Sequence, residues 1–141
     1  MISAELKNIL DDITKQGKFR FLENATKEQI ISFENDNSIT LPSQYKGWLE
    51  YSDGGELFLP AGVQFYGVAH KPLIDVNDNN RPSEEYIVIG ALASGDPILC
   101  QKEGDQVAIY NREASRIEED EVYQSFYAFL SDLNAILGIG G

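Results

Sequence analysis

The sequence of 141 residues has the length of one domain, and its 43% hydrophobic content is enough for a globular core. Asp and Glu number 23 against 11 Lys and Arg, which gives a formal net charge of −12. This charge argues against sequence-independent binding to nucleic acid and against an anionic membrane surface, because both depend on basic side chains. It favours a basic partner or an uncharged one.

A first helix is predicted from an apolar stripe near the N-terminus. Apolar residues recur there with the 3.6-residue period of an amphipathic helix, and Gly17 offers a stop. The stripe consists of Ile2, Leu6, Ile9, Leu10 and Ile13.

Two further helices are predicted before residue 55. Thr26 and Gln29 have the spacing of a capping box, and the polar residues 35–38 would end the helix that it begins. Pro42 is expected to begin the third helix, because the N–H that proline lacks has no helical partner in the first turn. The apolar face of this helix is Tyr45, Trp48 and Leu49, and Gly54 and Gly55 follow it.

From residue 56 onward, short apolar runs replace the helical period and predict β-strands. Residues 56–59 and 63–68 form two such runs, interrupted by Pro60, Gly62 and Gly67. The polar residues 75–85 predict a long loop. Three more strands are expected at residues 86–92, 97–101 and 106–111. Their short connections favour an antiparallel meander over parallel crossovers.

A final amphipathic helix would complete an α+β fold. The fold has N-terminal helices and a C-terminal helix packed against a mainly antiparallel, twisted β-sheet, as one domain over residues 1–141. The face of the last helix is Phe126, Phe129, Leu130, Leu133 and Leu137, and Gly138, Gly140 and Gly141 would let its end fray. The expected core is Trp48, Phe33, Ile89, Leu99, Ile109 and Phe129.

The residue pattern predicts no catalytic residue, no cofactor and no metal. Cys100 and His70 are the sole cysteine and histidine, too few for a structural zinc site. We interpret Cys100 as an inert, half-buried strand thiol and His70 as a surface or strand-end residue. Residues 75–80 are similar to the start of a calcium loop but lack its glycine and its final glutamate, where Tyr86 stands.

An acidic run lies between the last predicted strand and the last helix. One interpretation is a solvated connection whose charges favour the N-terminus of the following helix. The other is an acidic patch that steers a basic partner, joined by nearby acids and a tyrosine if the loops converge. The candidate partner-binding residues are Glu84, Glu85, Glu118, Glu119, Asp120, Glu121 and Tyr123. The alternative role of Tyr123 is packing at the helix edge.

The sequence also favours a cytoplasmic protein with no membrane partner. The first residues lack the basic and apolar segments of a secretory signal. The longest stretch of apolar residues and glycine, residues 87–93, is much shorter than the about 20 residues that span a bilayer.

The order and spacing of several short motifs carry a family resemblance. An I-x-x-F-E pattern at residues 30–34 precedes L-P-S-Q-Y-K-G-W-L at 41–49 and S-D-G-G at 52–55. I-G at 89–90 and G-D at 95–96 follow, then apolar strands to residue 110. Over about residues 26–133 this resembles the SUKH superfamily, which includes yeast cell-wall-synthesis regulators and many bacterial immunity proteins. The motif residues with scaffold roles are Leu41, Pro42, Tyr45, Trp48, Leu49, Gly54, Gly55, Gly95 and Asp96.

The resemblance implies a non-enzymatic module that binds another protein. Bacterial relatives look like cytoplasmic antidotes that block a toxin, often a nuclease. A nuclease is basic near its active site because it attracts a polyanion, so an acidic antidote would be steered to it. The alternatives are a regulatory or scaffold module with a non-toxin partner, and a small enzyme with a pocket around His70 or clustered carboxylates.

Overall fold

The computed structural model describes residues 3–59, 62–78, 82–102 and 104–137 of the chain. The predictions that concern Ile2, Pro60, residues 79–81 and Gly138, Gly140 and Gly141 lie outside these residues. The helices are α1 (Ala4–Ile13), α2 (Lys27–Asn37), α3 (Ser43–Leu49), α4 (Phe126–Ser131) and α5 (Leu133–Leu137), with a 3₁₀ turn at Thr14–Gln16. The strands are β1 (Lys18–Arg20), β2 (Gly55–Leu59), β3 (Val63–Phe65), β4 (Tyr86–Leu92), β5 (Pro97–Gln101), β6 (Val107–Asn111) and β7 (Arg116–Tyr123).

One antiparallel sheet organises the fold. Its seven strands are arranged in chain order, β1-β2-β3-β4-β5-β6-β7, and each strand is antiparallel to the next. Helices precede and follow the strands that make up most of this sheet. The predicted α+β class and the antiparallel meander are therefore confirmed.

Side chains close in sequence fix the N-terminal ends of α2 and α3. The capping box of α2 is present, with Thr26 Oγ1 accepting from Gln29 N at 3.1 Å and Gln29 Oε1 accepting from Thr26 N at 2.9 Å. Glu34, the last residue of the I-x-x-F-E pattern, positions α3. Its Oε2 accepts from Leu41 N at 2.7 Å and lies 3.3 Å from Lys46 Nζ. Pro42 is the N-cap of α3, one residue before the helix begins.

The main core lies between the helices and one face of the sheet. Alternate residues of β4, β5 and β6 belong to it, as the two-residue period of a strand requires. These residues are Ile87, Ile89, Ile98, Cys100, Val107 and Ile109. From the helices, Trp48 and Tyr45 meet Phe126 at ring-centroid distances of 6.0 and 4.9 Å. The predicted core residues Trp48, Ile89, Ile109 and Phe129 are confirmed.

Two core predictions are corrected. Phe33 is only partly buried and packs against the edge of the core. Leu99 is fully buried, but it alternates with Ile98 and Cys100 and therefore lies on the opposite face of the sheet. It pairs there with Val88 and Ala108, which are also buried.

Four features of the secondary structure also differ from the prediction. The acidic run is not a connection, because it lies within β7. Its acidic residues have low β-propensity, and the strand is held by the pairing of residues on either side of the run with β6. Strand β1 was not predicted, and β3 ends at Phe65 rather than residue 68. The last helix breaks into α4 and α5 at Asp132, whose backbone departs from helical angles.

The first testable prediction concerns Trp48, which is fully buried and donates from Nε1 to the carbonyl oxygen of Gly54 at 2.9 Å. Trp48→Ala should lower the free energy of unfolding by about 3–5 kcal/mol, because it removes a buried aromatic ring and leaves a cavity. Urea denaturation measures this loss. Ile31→Ala, at a side chain that is 55% exposed, should change stability by about 0.5 kcal/mol or less. Equal effects of the two substitutions would contradict the central position of Trp48.

Candidate functional site

The four acids of the predicted run, Glu118 to Glu121, lie in an irregularity of the edge strand β7. Ala108 pairs with Val122, and Tyr110 pairs with Ile117. The four acidic residues are therefore opposite a single residue of β6, Ile109. Such a bulge leaves the extra residues without ladder partners and bends the strand. The run is thus displaced from the regular sheet at the edge.

Electrostatic repulsion concentrates around Glu121. Glu119 and Asp120 are exposed, while Glu118 and Glu121 are partly buried. Partial burial raises the pKa of Glu121, and the charges of Asp120, Asp96 and Glu118 raise it further. Asp96 belongs to the turn before β5 and accepts from Arg112 N at 3.2 Å. We call Asp96 and the four acids of the run the acidic edge.

The other candidate acids lie elsewhere on the sheet. Glu84 and Glu85 precede β4, and Glu85 O accepts from Lys102 N at 2.9 Å. They line a depression of about 460 Å³ together with Gln101 and Lys102. Strands β5 and β6 separate β4 from β7, and three strand spacings amount to about 14 Å. The structure therefore places these two acids at a distance from the acidic edge.

Tyr123 ends β7 beside the core. It pairs with Val107, and its ring centroid lies 5.3 Å from that of Phe129. Burial raises the pKa of Tyr123, and the charge of Asp132 adds to this effect. The ring therefore packs at the edge of the last helices and keeps a half-exposed surface.

The motif residues with scaffold roles lie at positions where burial, backbone angle or hydrogen bonding favours their residue types. Leu41, Pro42, Tyr45, Trp48 and Leu49 are buried at the start and inner face of α3. Gly54, Gly55 and Gly95 have φ angles of 100°, 112° and 95°, a region that favours glycine. The hydroxyl of Tyr45 donates to the carbonyl oxygens of Tyr66 and Ile89.

Asp53, whose carboxylate accepts several hydrogen bonds, is not among the site residues predicted from the sequence. Asp53 is fully buried. Its Oδ1 accepts from Val68 N at 2.7 Å, and its Oδ2 accepts from Ala69 N and His70 N at 2.8 Å each. Gly67 makes this approach possible, since a Cβ there would lie 2.5 Å from the carbonyl oxygen of Asp53. We call Asp53 and residues 67–70 the Asp53 clasp.

The imidazole ring of His70 completes the clasp. Its Nδ1 lies 2.8 Å from Asp53 Oδ2, and its Nε2 lies 3.7 Å from Glu23 Oε2. The hydrogen bond to Asp53 raises the pKa of His70, and the charges of Asp53 and Glu23 act in the same direction. Both ring nitrogens therefore face carboxylates, an arrangement that favours the protonated form of the imidazole. The S-D-G-G motif was the available signal, but nothing in the sequence linked it to a histidine 17 residues away.

The thiol of Cys100 lies in an environment that keeps it unreactive. Cys100 is buried, and burial raises the pKa of its thiol to about 12, so at neutral pH it is protonated and a poor nucleophile. Across the described ranges, no group of three or more His, Cys, Asp or Glu side chains could hold a metal ion. Among the helices that the structure describes, none has both the length and the apolar character to cross a bilayer.

The fold and its charged edge define a small α+β module in which acidic residues are displayed on an antiparallel sheet. The sequence matches the model of the SMI1 / KNR4 family (SUKH-1) over residues 24–132. The chain therefore belongs to this family. A search of the curated proteins finds no match to the chain.

We expect the charge on His70 to stabilise the fold in a pH-dependent way. A histidine whose pKa is raised in the folded state stabilises fully below its unfolded pKa of about 6.5, and this contribution disappears as pH rises through the folded pKa. His70→Gln should therefore lower the melting temperature most at pH 5.5 and least at pH 9. Thermal melts at both pH values test this.

Lys71→Gln is the matched control for His70, because it removes an exposed cation from the next residue. Its effect should vary less between the two pH values. An equal shift for His70→Gln at pH 5.5 and pH 9 would show that the imidazole carries no charge in the folded clasp.

A second pH-dependent effect is expected at Glu121, with the opposite sign. Its raised pKa means that the ionised carboxylate is less favourable in the folded state than in the unfolded chain. Glu121→Gln should raise the melting temperature at pH 7, and the gain should vanish as pH falls below the ordinary glutamate pKa of about 4.3. Glu119→Gln, at an exposed neighbour, should give a smaller gain. A destabilised Glu121→Gln variant at pH 7 would contradict the repulsion.

Proposed function

We propose that the protein is an immunity-type, non-enzymatic module that neutralises a basic, nuclease-like toxin domain by binding it in the cytoplasm. Membership of the SMI1 / KNR4 family supports a protein-binding role. The observation that carries the proposal is the acidic edge, in which four consecutive acids project from a bulge in an edge strand. The net charge of −12 acts in the same direction.

A cationic partner would relieve the repulsion within the acidic edge. Glu121 is partly buried among Asp96, Glu118 and Asp120, so its negative charge is unfavourable in the free protein. A Lys or Arg side chain placed there would be attracted by several carboxylates at once. Complementary charges of this kind increase the rate of association and select against acidic partners.

The proposed contact surface extends from the acidic edge past Tyr123 to Glu84 and Glu85. Tyr123 lies at the Val107 end of β6. Val107 pairs with Cys100 near the end of β5, where Glu85 meets Lys102. Across the sheet, β7 and β4 are three strand spacings or about 14 Å apart, and a standard interface covers about 800 Å² per partner. Half-exposed tyrosine is a residue type that interfaces favour.

Neutralising the acidic edge should slow association with the toxin. We propose the combined variant Glu118→Gln, Glu119→Gln, Asp120→Asn and Glu121→Gln, tested against the toxin domain encoded beside the gene. At low salt the association rate should fall at least about tenfold, because steering by charge is lost. The dependence of that rate on ionic strength should become flatter. Surface plasmon resonance over a salt series measures both quantities.

The matched control changes the net charge by the same amount on exposed helix positions. It combines Glu5→Gln, Asp12→Asn, Glu28→Gln and Asp36→Asn on α1 and α2. If both variants slow association equally, the net charge matters and the acidic edge does not. If the wild-type protein binds no adjacent toxin even at low salt, the immunity role is wrong.

A further inference from the structure

Three depressions adjoin one another at Lys102, where the turn from β5 to β6 faces the connection between α2 and α3. The first, of about 460 Å³, is lined by Glu84, Glu85 and Lys102. The second and third, of about 430 and 300 Å³, are both lined by Thr40 and Lys102, and the third also by Asp105. Because Lys102 lines all three, we treat them as one polar surface and call it the Lys102 groove.

The wall of the Lys102 groove that comes from the α2–α3 connection carries polar groups that the fold does not use. Ser38, Thr40 and Ser43 line this wall and are exposed. Within the described part of the chain, their hydroxyls make no hydrogen bond, and the backbone N–H and C=O of Thr40 make none either. An extended peptide needs partners for its own backbone groups, whereas a helix satisfies most of its own. The wall therefore suits an extended segment.

The charged residues of the groove alternate in sign from strand to strand. Glu84 and Glu85 precede β4, Lys102 follows β5, and Asp105 precedes β6. These three strands are neighbours in the sheet, and Lys102 N donates to Glu85 O at 2.9 Å. The order of charges across the groove is therefore negative, positive, negative.

Lys102 lacks a counter-charge among the residues that the structure describes. It is half-buried, and it forms no ion pair with a described carboxylate. The acids on either side of it form no ion pair either. By contrast, Lys46 in the third depression pairs with Glu34 at 3.3 Å. The groove therefore keeps charges of both signs available for a ligand.

We propose that the Lys102 groove binds an extended segment of a partner protein in which two basic residues flank an acidic one. This order of charges is complementary to that of the groove, and like charges facing each other disfavour other orders. Two strand spacings, about 10 Å, separate β4 from β6, and an extended chain covers that distance in about three residues. The inference rests on the proposed function, because the segment would belong to the toxin domain that contacts Glu84 and Glu85.

The test is an NMR titration of the ¹⁵N-labelled protein with a synthetic peptide of glycine and serine that carries Lys-Ser-Glu-Lys at its centre. We expect saturable shifts centred on residues 38–43 and on Lys102 and Asp105. An isomer with the central order Glu-Ser-Lys-Lys has the same composition and net charge. It should bind at least about threefold more weakly, because its charges do not match the order in the groove. Equal binding of the two peptides would overturn the proposal.

A charge reversal assigns the binding to Lys102. Lys102→Glu should weaken binding of the first peptide at least about threefold, and it should strengthen binding of a third peptide with the central order Lys-Ser-Lys-Lys. Lys7→Glu is the matched control, because it makes the same change of charge at an exposed position of α1. Similar effects of the two variants, or shifts centred on the acidic edge, would show that the groove does not select the segment.

The peptide titration and the toxin experiment fail independently of each other. A toxin domain that binds through the acidic edge, with no peptide shifts at the Lys102 groove, would overturn the groove proposal alone. Peptide shifts at the groove, with no binding of the adjacent toxin at low salt, would support the groove and overturn the immunity role.

Discussion

A buried carboxylate joins the helical half of the chain to the loop that follows β3. Transfer of an ionised carboxylate out of water is costly unless hydrogen bonds replace the lost hydration. Asp53 receives three successive backbone N–H groups and the ring of His70. The neighbouring Ser52 bonds to Leu22 N and to the carbonyl oxygen of Gly54. The S-D-G-G motif therefore fixes the chain on both sides of the turn from α3 into β2.

The fold separates residues that stabilise it from residues that are available for binding. Trp48, Tyr45 and Phe126 form the centre of the core, and the Asp53 clasp lies beside the sheet. The acidic edge lies at β7, where burial is partial and the ladder is interrupted. Substitutions at that edge can therefore change the surface charge without repacking the core.

Much of the fold could be predicted because its signals are local. The capping box of Thr26 and Gln29 and the alternation within β4, β5 and β6 act within a few residues. Strand β7 could not be predicted in this way, because it depends on a non-local contact, the pairing of its end residues with β6 on either side of the acidic run. The same limit applies to Leu99. Alternation shows that it faces away from Ile98 but not which face of the sheet carries the main core.

In the candidate site, too, the local signals could be predicted from the sequence and the non-local contacts could not. The acidic run was visible in the sequence, but its union with Asp96 depends on two turns that meet at the end of the sheet. Glu84 and Glu85 share the charge of the run but lie three strands away. The pairing of Asp53 with His70 and the edge-to-face contact of Phe21 with Trp48 involve residues 17 and 27 positions apart. Such contacts arise from tertiary structure and leave no trace in local composition.

The charges of the acidic edge exceed what protection of an edge strand requires. A bulge and one or two charges already discourage pairing between sheet edges. Here the bulge carries four consecutive acids, and Asp96 adds a fifth negative charge nearby. The repulsion raises the pKa of Glu121, so the fold is less stable with this carboxylate ionised. Arg116 supplies one counter-charge, because its Nε lies 3.1 Å from Glu118 Oε1, and the remaining local repulsion is a feature typical of a functional surface.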